Sequence, residues 1–122
     1  MKVQRRERDG VVVLDLSGKI LGGNDSEDLK NEIDRAIDEG IPSLLINLGG
    51  VAWMNSSGLG ILLSGFLRLK EKGGATKFLR VQPRVKEILV TTKLIQVLEV
   101  FDDEEEAIRS FAEGGSRSVP RP

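Results

Sequence analysis

The sequence predicts an α/β fold, a single domain in which a mixed sheet of about five strands is packed by about four helices. Short apolar runs typical of buried strands alternate with segments whose apolar residues recur every three or four positions, as in a helix. This strand–helix–strand order calls for right-handed crossovers and a mostly parallel sheet. Asp9-Gly10, between the first two strand-like runs, signals an opening β-hairpin, which makes the sheet mixed.

The first elements are a hairpin and a helix. Residues 3–8 alternate weakly and carry many charges, which favours an edge strand, whereas residues 11–16 are apolar and rich in valine, as in a central strand. Residues 18–24 are expected to form a loop. A helix is then predicted from a cap within residues 24–26 to a stop at Gly40. Its expected buried stripe consists of Leu29, Ile33, Ala36 and Ile37.

The middle of the chain predicts a buried strand at residues 43–48, followed by a connection through residues 49–54. Two adjacent serines come next, and either of them is suited to cap a helix that runs to about Lys72. The expected buried stripe of this helix consists of Leu59, Leu62, Leu63, Phe66 and Leu67.

Three shorter elements and a tail complete the prediction. Strands are expected at residues 76–81 and 96–101, with a helix between them that begins at Pro83. The acidic run at residues 102–106 opens a terminal helix, where carboxylates interact favourably with the helix dipole. Residues 1–113 are thus expected to form the domain, and the polar, proline-containing residues 114–122 a disordered tail. The residues expected to face inward on the Pro83 helix are Val85, Ile88 and Leu89.

Composition excludes several classes of function. The 122 residues include 18 basic and 19 acidic side chains, a net charge of −1 that gives no overall attraction for nucleic acid or an anionic membrane. The chain has no cysteine and no histidine, which rules out disulfides, the usual zinc sites and catalysis by imidazole. No apolar run approaches the ~20 residues that span a bilayer. We therefore expect a cytoplasmic protein without membrane insertion or direct nucleic-acid binding.

Few residues outside the serine pair suggest chemistry. The acidic residues 102–106 are better explained by a helix start than by a metal site, and no metal or cofactor is expected. The glycines near the serines do not form a phosphate-binding loop. Trp53 is the only tryptophan and is expected in the core, since stacking platforms for single-stranded nucleic acid need several aromatic residues.

Ser56 and Ser57 are the candidate functional residues. One interpretation is structural: a single hydroxyl caps the helix, which contributes ~1 kcal/mol. The other is that one hydroxyl accepts a phosphoryl group, whose negative charge suits the positive end of a helix. Composition alone favours the structural interpretation.

The motif Asn55-Ser56-Ser57-Gly58-Leu59-Gly60 resembles the signature of the STAS family, in particular the bacterial anti-sigma factor antagonists. The resemblance extends over roughly residues 3–112. It implies a non-enzymatic protein that binds an anti-sigma factor serine kinase and frees a sigma factor. It further implies that the kinase phosphorylates Ser56, with Ser57 as second choice, and that a PP2C-type phosphatase reverses this. The implied partner-binding residues are Asn55, Ser56, Ser57, Gly58, Leu59, Gly23 and Asn24.

Two positions depart from the family pattern. Asn55 stands where phosphorylated members usually carry Asp, and the glycine-bearing loop at residues 21–24 replaces one that often contains Asp. These departures keep a second hypothesis open, a non-switching scaffold subunit of a stress-signalling complex or of a lipid-transport system. A third hypothesis, a serine hydrolase, lacks a histidine base and a motif-spaced lysine or aspartate.

Overall fold

The computed structural model describes residues 1–112, so the predicted tail at residues 114–122 lies outside the described part. The five strands form one sheet in the order β1-β2-β3-β4-β5, in which β1 is antiparallel to β2 and the other pairs are parallel. This confirms the mixed sheet and the opening hairpin. The elements are β1 Lys2–Arg8, β2 Val11–Ile20, α1 Glu27–Asp38, β3 Ser43–Met54, α2 Ser56–Glu71, β4 Ala75–Leu79, α3 Pro83–Thr91, β5 Val100–Phe101 and α4 Glu104–Ala112, with 3-10 turns at Gly23–Ser26 and Leu94–Gln96.

The hairpin between β1 and β2 has the turn that its sequence predicts. Asp9 and Gly10 have φ angles of 51° and 82°, and Arg8 pairs directly with Val11. Two consecutive residues with positive φ define a type I′ turn, whose twist matches that of the flanking strands. Asp-Gly is favoured there because both residues tolerate the left-handed region.

β2 and β3 are both longer than predicted. β2 continues to Ile20 and β3 to Met54, so the expected loop at residues 18–20 and the expected connection at residues 49–54 are wrong. The two strands pair with each other beyond the point where β4 stops, through irregularities in register. Gly50 belongs to this irregular region, and an added Cβ there would lie 2.8 Å from the carbonyl oxygen of Leu16.

The sheet carries helices on both faces. α1, α2 and α3 cover one face with the larger core, and α4 covers the other. The predicted stripe of α1 is confirmed, and Gly40, with φ 72°, follows its C-terminus. The smaller core under α4 consists of Val11, Val13, Leu45, Leu79, Ala107 and Ile108.

Several predicted details of the second half are wrong. Leu67 is 50% exposed, and Leu69 is buried in its place, because the inner face of α2 runs through Leu62, Gly65 and Leu69. The strand expected at residues 96–101 is reduced to β5, since the backbone turns at Leu94–Gln96 and the Leu98 amide donates to the Leu94 carbonyl. β4 ends at Leu79, because the next residue takes a φ of 58°. On α3, by contrast, the residues predicted to face inward are confirmed: Val85 and Leu89 are buried, and the half-buried Ile88 packs against the same core.

The acidic run opens α4, as predicted. The Glu106 amide donates to Oδ2 of Asp103 at 3.0 Å, so Asp103 caps the helix. Arg6 and Arg8 each donate to Glu104 at 2.8 Å and thereby tie the edge strand β1 to α4. Within residues 1–112 no group of acidic side chains is arranged to hold a metal ion.

None of the helices in the described residues has the length and apolar character needed to cross a membrane.

Candidate functional site

The candidate site is the start of α2, here called the serine turn, residues 55–58. The Gly58 amide donates to Oδ1 of Asn55 at 2.8 Å, and the Leu59 amide donates to the Asn55 carbonyl at 2.9 Å. Asn55 is therefore the N-cap, and α2 begins with Ser56 and Ser57. The prediction that a serine caps this helix is wrong, because the residue before the pair does so.

The end of β2 holds the serine turn in place. The Asn55 amide donates to the Ile20 carbonyl at 3.2 Å. Gly58 packs against the same carbonyl, and an added Cβ would lie 2.0 Å from its oxygen, far inside van der Waals contact. Only glycine fits at this position without moving either the helix or the strand.

The loop that follows β2 lies against the serine turn. Gly22 has φ 81°, and an added Cβ would lie 2.6 Å from Cβ of Ser57. The Gly22 amide donates to Oγ of Ser26 at 3.1 Å, and Ser26 is fully buried. Ser26 therefore closes this loop instead of capping α1 through its side chain. Gly22 is the loop residue that contacts the turn, and Gly23 and Asn24 follow it in the chain.

The predicted site residues divide into an exposed group and a buried group. Ser56, Ser57, Gly23 and Asn24 are exposed, and Asn55 is half-buried. Gly58 and Leu59 are buried, and Leu59 is only 8% exposed. The buried pair therefore positions the turn, while the exposed residues form its accessible surface.

The serine turn is electrostatically suited to an anion. Its first helical residues include no carboxylate, and within residues 1–112 the amides of Ser56 and Ser57 donate no hydrogen bond. Such unpaired amides and the helix dipole favour negative charge at a helix N-terminus. In the same part of the chain neither serine hydroxyl is hydrogen-bonded to a lysine or a carboxylate, so the arrangement of an activated nucleophile is not formed there.

One feature near the turn was not predicted. Trp53 was expected in the core, but it is only partly buried, and the Arg84 guanidinium carbon lies 5.3 Å from the centre of its ring. This is the distance of a cation–π contact. Arg84 follows the N-terminal proline of α3, and no sequence spacing connects it to a strand end so far away in the chain.

Comparison with known proteins places these features in a family context. The family model of the STAS domain matches residues 2–107. An anti-sigma F factor antagonist of Paenibacillus polymyxa is 27% identical over 109 residues, which cover 88% of this chain and 92% of the relative.

Solved structures show the same fold. An anti-sigma factor antagonist from Mycobacterium paratuberculosis has a TM-score of 0.77 at 23% identity, covering 89% of this chain and 92% of that one. The Bacillus cell fate determinant SpoIIAA in its phosphorylated form has a TM-score of 0.71 at 25% identity, covering 88% and 97%.

Proposed function

Since this chain belongs to the STAS domain family, we propose that it acts as an anti-sigma factor antagonist in the cytoplasm. It binds an anti-sigma factor that is also a serine kinase and so frees a sigma factor for transcription. Phosphorylation of Ser56 by this kinase ends the binding, and a PP2C-type phosphatase restores it. The similarity to the Paenibacillus polymyxa antagonist over most of both chains supports the proposal.

The observation that carries the proposal is the position of Ser56. It is the exposed first residue of α2, in a turn that is closed by Asn55 and Gly58 without the serine hydroxyl. Modification of the hydroxyl therefore leaves the cap intact. A group that is accessible and not needed for folding is suited to reversible modification.

Phosphorylation at this position changes the surface and not the fold. A phosphoryl group adds about −1.5 to −2 charge, which the dipole and the unpaired amides at the start of α2 accommodate. On the outside, the uncharged surface of the serine turn becomes strongly anionic. A loss of ~3 kcal/mol at the interface weakens binding by roughly two orders of magnitude, enough for a switch.

Asn55 is compatible with this role. Its side-chain oxygen makes the cap hydrogen bond that an aspartate would make, and it places no carboxylate next to a phosphoryl group on Ser56. In the proposed complex, the partner contacts the accessible residues of the site. These are Gly23, Asn24, Asn55, Ser56 and Ser57.

Copurification from the native host tests the proposal. Wild-type protein, Ser56→Asp and Ser64→Asp are each used to capture the anti-sigma factor kinase, which is then quantified. Ser64 is exposed on α2 about 12 Å further along the helix, so it receives the same charge away from the turn. We expect Ser56→Asp to weaken capture about a hundredfold and Ser64→Asp to retain it.

Two results would contradict the switch. Equal capture by wild type and Ser56→Asp, within a large stable complex, would favour the scaffold subunit. Equal weakening by both variants would mean that the surface responds to charge anywhere on α2 and not to Ser56.

A further inference from the structure

The sheet face under α4 continues beyond that helix and carries exposed cations. Side chains at alternate positions of β2 share one face. On this face α4 covers Val11 and Val13, and Asp15 is bound by Arg6, but Lys19 further along is exposed. Among the described residues, α4 therefore does not cover the end of the sheet nearest the serine turn.

Trp53 belongs to the same end of the sheet. It is the register partner of Lys19 on β2, and its neighbour Met54 is fully buried in the core, so Trp53 faces away from that core. Arg84 reaches from α3 to 5.3 Å from the ring centre. Lys19 is thus the cross-strand neighbour of Trp53, and Arg84 lies over the Trp53 ring.

A third exposed cation, Arg80, lies against β3, the strand that carries Trp53. The Arg80 side chain packs over Gly49 of β3, where an added Cβ would lie 3.3 Å from Cβ of Arg80. Lys19, Arg80 and Arg84 are all exposed, and among residues 1–112 none of them takes part in a salt bridge. This differs from Arg6 and Arg8, whose charges are both compensated by Glu104.

We infer that these four residues, the Trp53 patch (Lys19, Trp53, Arg80 and Arg84), dock an acidic segment of the protein partner. Unpaired cations around an aromatic ring complement carboxylates and apolar side chains, and aromatic and arginine residues are enriched in interface centres. The patch lies close to the serine turn along the chain, since Trp53 precedes Asn55 by two positions. That the partner is the anti-sigma factor rests on the proposed function.

A protein segment fits the patch better than nucleic acid does. Binding of single strands relies on successive aromatic platforms, and the patch offers one ring. The whole chain carries a net charge of −1, so it lacks the broad positive field that captures a phosphate backbone. A few carboxylates on a peptide match three cations.

The fluorescence of Trp53 tests the inference directly. The chain has one tryptophan and no tyrosine, so its emission reports this patch. The full chain is titrated with a short synthetic peptide of Asp, Glu and Leu, with a peptide in which Lys replaces the acidic residues, and with oligothymidine. We expect a saturable change with the acidic peptide alone, weakened at high salt because the charges are screened.

Charge reversals define where the peptide binds. Lys19→Glu, which leaves the Arg84 contact in place, and Arg84→Glu should each lower the affinity about tenfold. Lys72→Glu is the matched control, because this exposed lysine lies at the opposite end of α2 and should leave the affinity unchanged.

The results that would contradict the docking patch differ from the result that would contradict the proposed function. No response to the acidic peptide, an equal response to the lysine peptide, or an equal effect of Lys72→Glu would overturn the inference. A saturable response to oligothymidine in its place would assign the patch to nucleic acid and overturn it as well. Phosphate on Ser56 without a peptide response would overturn the patch alone. A peptide response in a protein that captures no anti-sigma factor would overturn the proposed function and support an acidic-segment site.

Discussion

The side-chain oxygen of Asn55 accepts a hydrogen bond from the Gly58 amide at 2.8 Å, and this contact closes the serine turn. It assigns the capping role to the residue before the serine pair. Ser56 and Ser57 are thereby exposed at the start of α2 with no part in the cap. Asn55 thus has the structural role of capping the helix, and the adjacent Ser56 has the proposed role in switching.

Asn55→Ala should destabilise the protein by about 1 kcal/mol, because it leaves the Gly58 amide without its capping acceptor. Ser56→Ala and Ser57→Ala should each change the free energy of unfolding by less than about 0.5 kcal/mol, as exposed positions do. Urea denaturation of the four proteins measures this. A serine variant as unstable as Asn55→Ala would indicate that this serine contributes to capping the helix.

Gly58→Ala should destabilise by at least about 2 kcal/mol, because the new Cβ would lie 2.0 Å from the Ile20 carbonyl oxygen and force strand and helix apart. Gly60→Ala, two residues later on the same helix, meets open space and should stabilise by up to about 1 kcal/mol. Thermal denaturation of both variants measures the difference. Similar midpoints for the two would contradict the close packing of α2 on β2.

The Glu104 carboxyl makes the free energy of unfolding depend on pH in the acidic range. Hydrogen bonds from Arg6 and then Arg8 lower its pKa from 4.5 to about 2. A pKa that is lower in the folded state stabilises the protein fully above 4.5, and this contribution is lost as the pH falls toward 2. Glu104→Gln should therefore be less stable than wild type at pH 7, and the difference should shrink between pH 5 and about pH 3.

Glu106→Gln is the control for this pH dependence. Glu106 lies in the same first turn of α4, and within residues 1–112 its side chain makes no salt bridge. Its replacement should change the free energy of unfolding little, both at pH 7 and at about pH 3. Parallel pH profiles of Glu104→Gln and wild type, from urea denaturation, would contradict a role for the Arg6–Glu104 pair.

Much of the fold follows from local signals in the sequence. The Asp9-Gly10 turn, the buried stripe of α1 and the acidic start of α4 each depend on neighbouring residues, and each was predicted. The ends of β2 and β3 were not, because glycine-bearing segments read as loops unless the partner strand is known. The prediction placed Leu67 in the buried stripe of α2, whereas Leu69 is the buried residue. The side of a helix that faces inward is fixed by tertiary packing, which the local sequence does not show.

The sequence locates the site at the serine pair, but it does not show which residue caps the helix or which distant residues contact the site. Asn55, Ser56 and Ser57 are all good capping residues, and the hydrogen bond from the Gly58 amide to Asn55 Oδ1 shows which of them caps α2. The Ile20 carbonyl, which contacts Asn55 and Gly58, is distant from them in the chain. The Trp53–Arg84 contact joins two elements that are distant in the chain. Local patterns indicate residue types, whereas the cap and the patch depend on tertiary contacts.

The proposed switch at Ser56 is tested most directly by the phosphorylation state of the protein isolated from its native host under two growth conditions. Tryptic cleavage after Arg35 and Arg68 gives one peptide that contains the serine turn, and fragmentation distinguishes Ser56 from Ser57. We expect a singly phosphorylated fraction, located at Ser56, that differs between the conditions. Phosphate on Ser57 alone, or none under either condition, would contradict it.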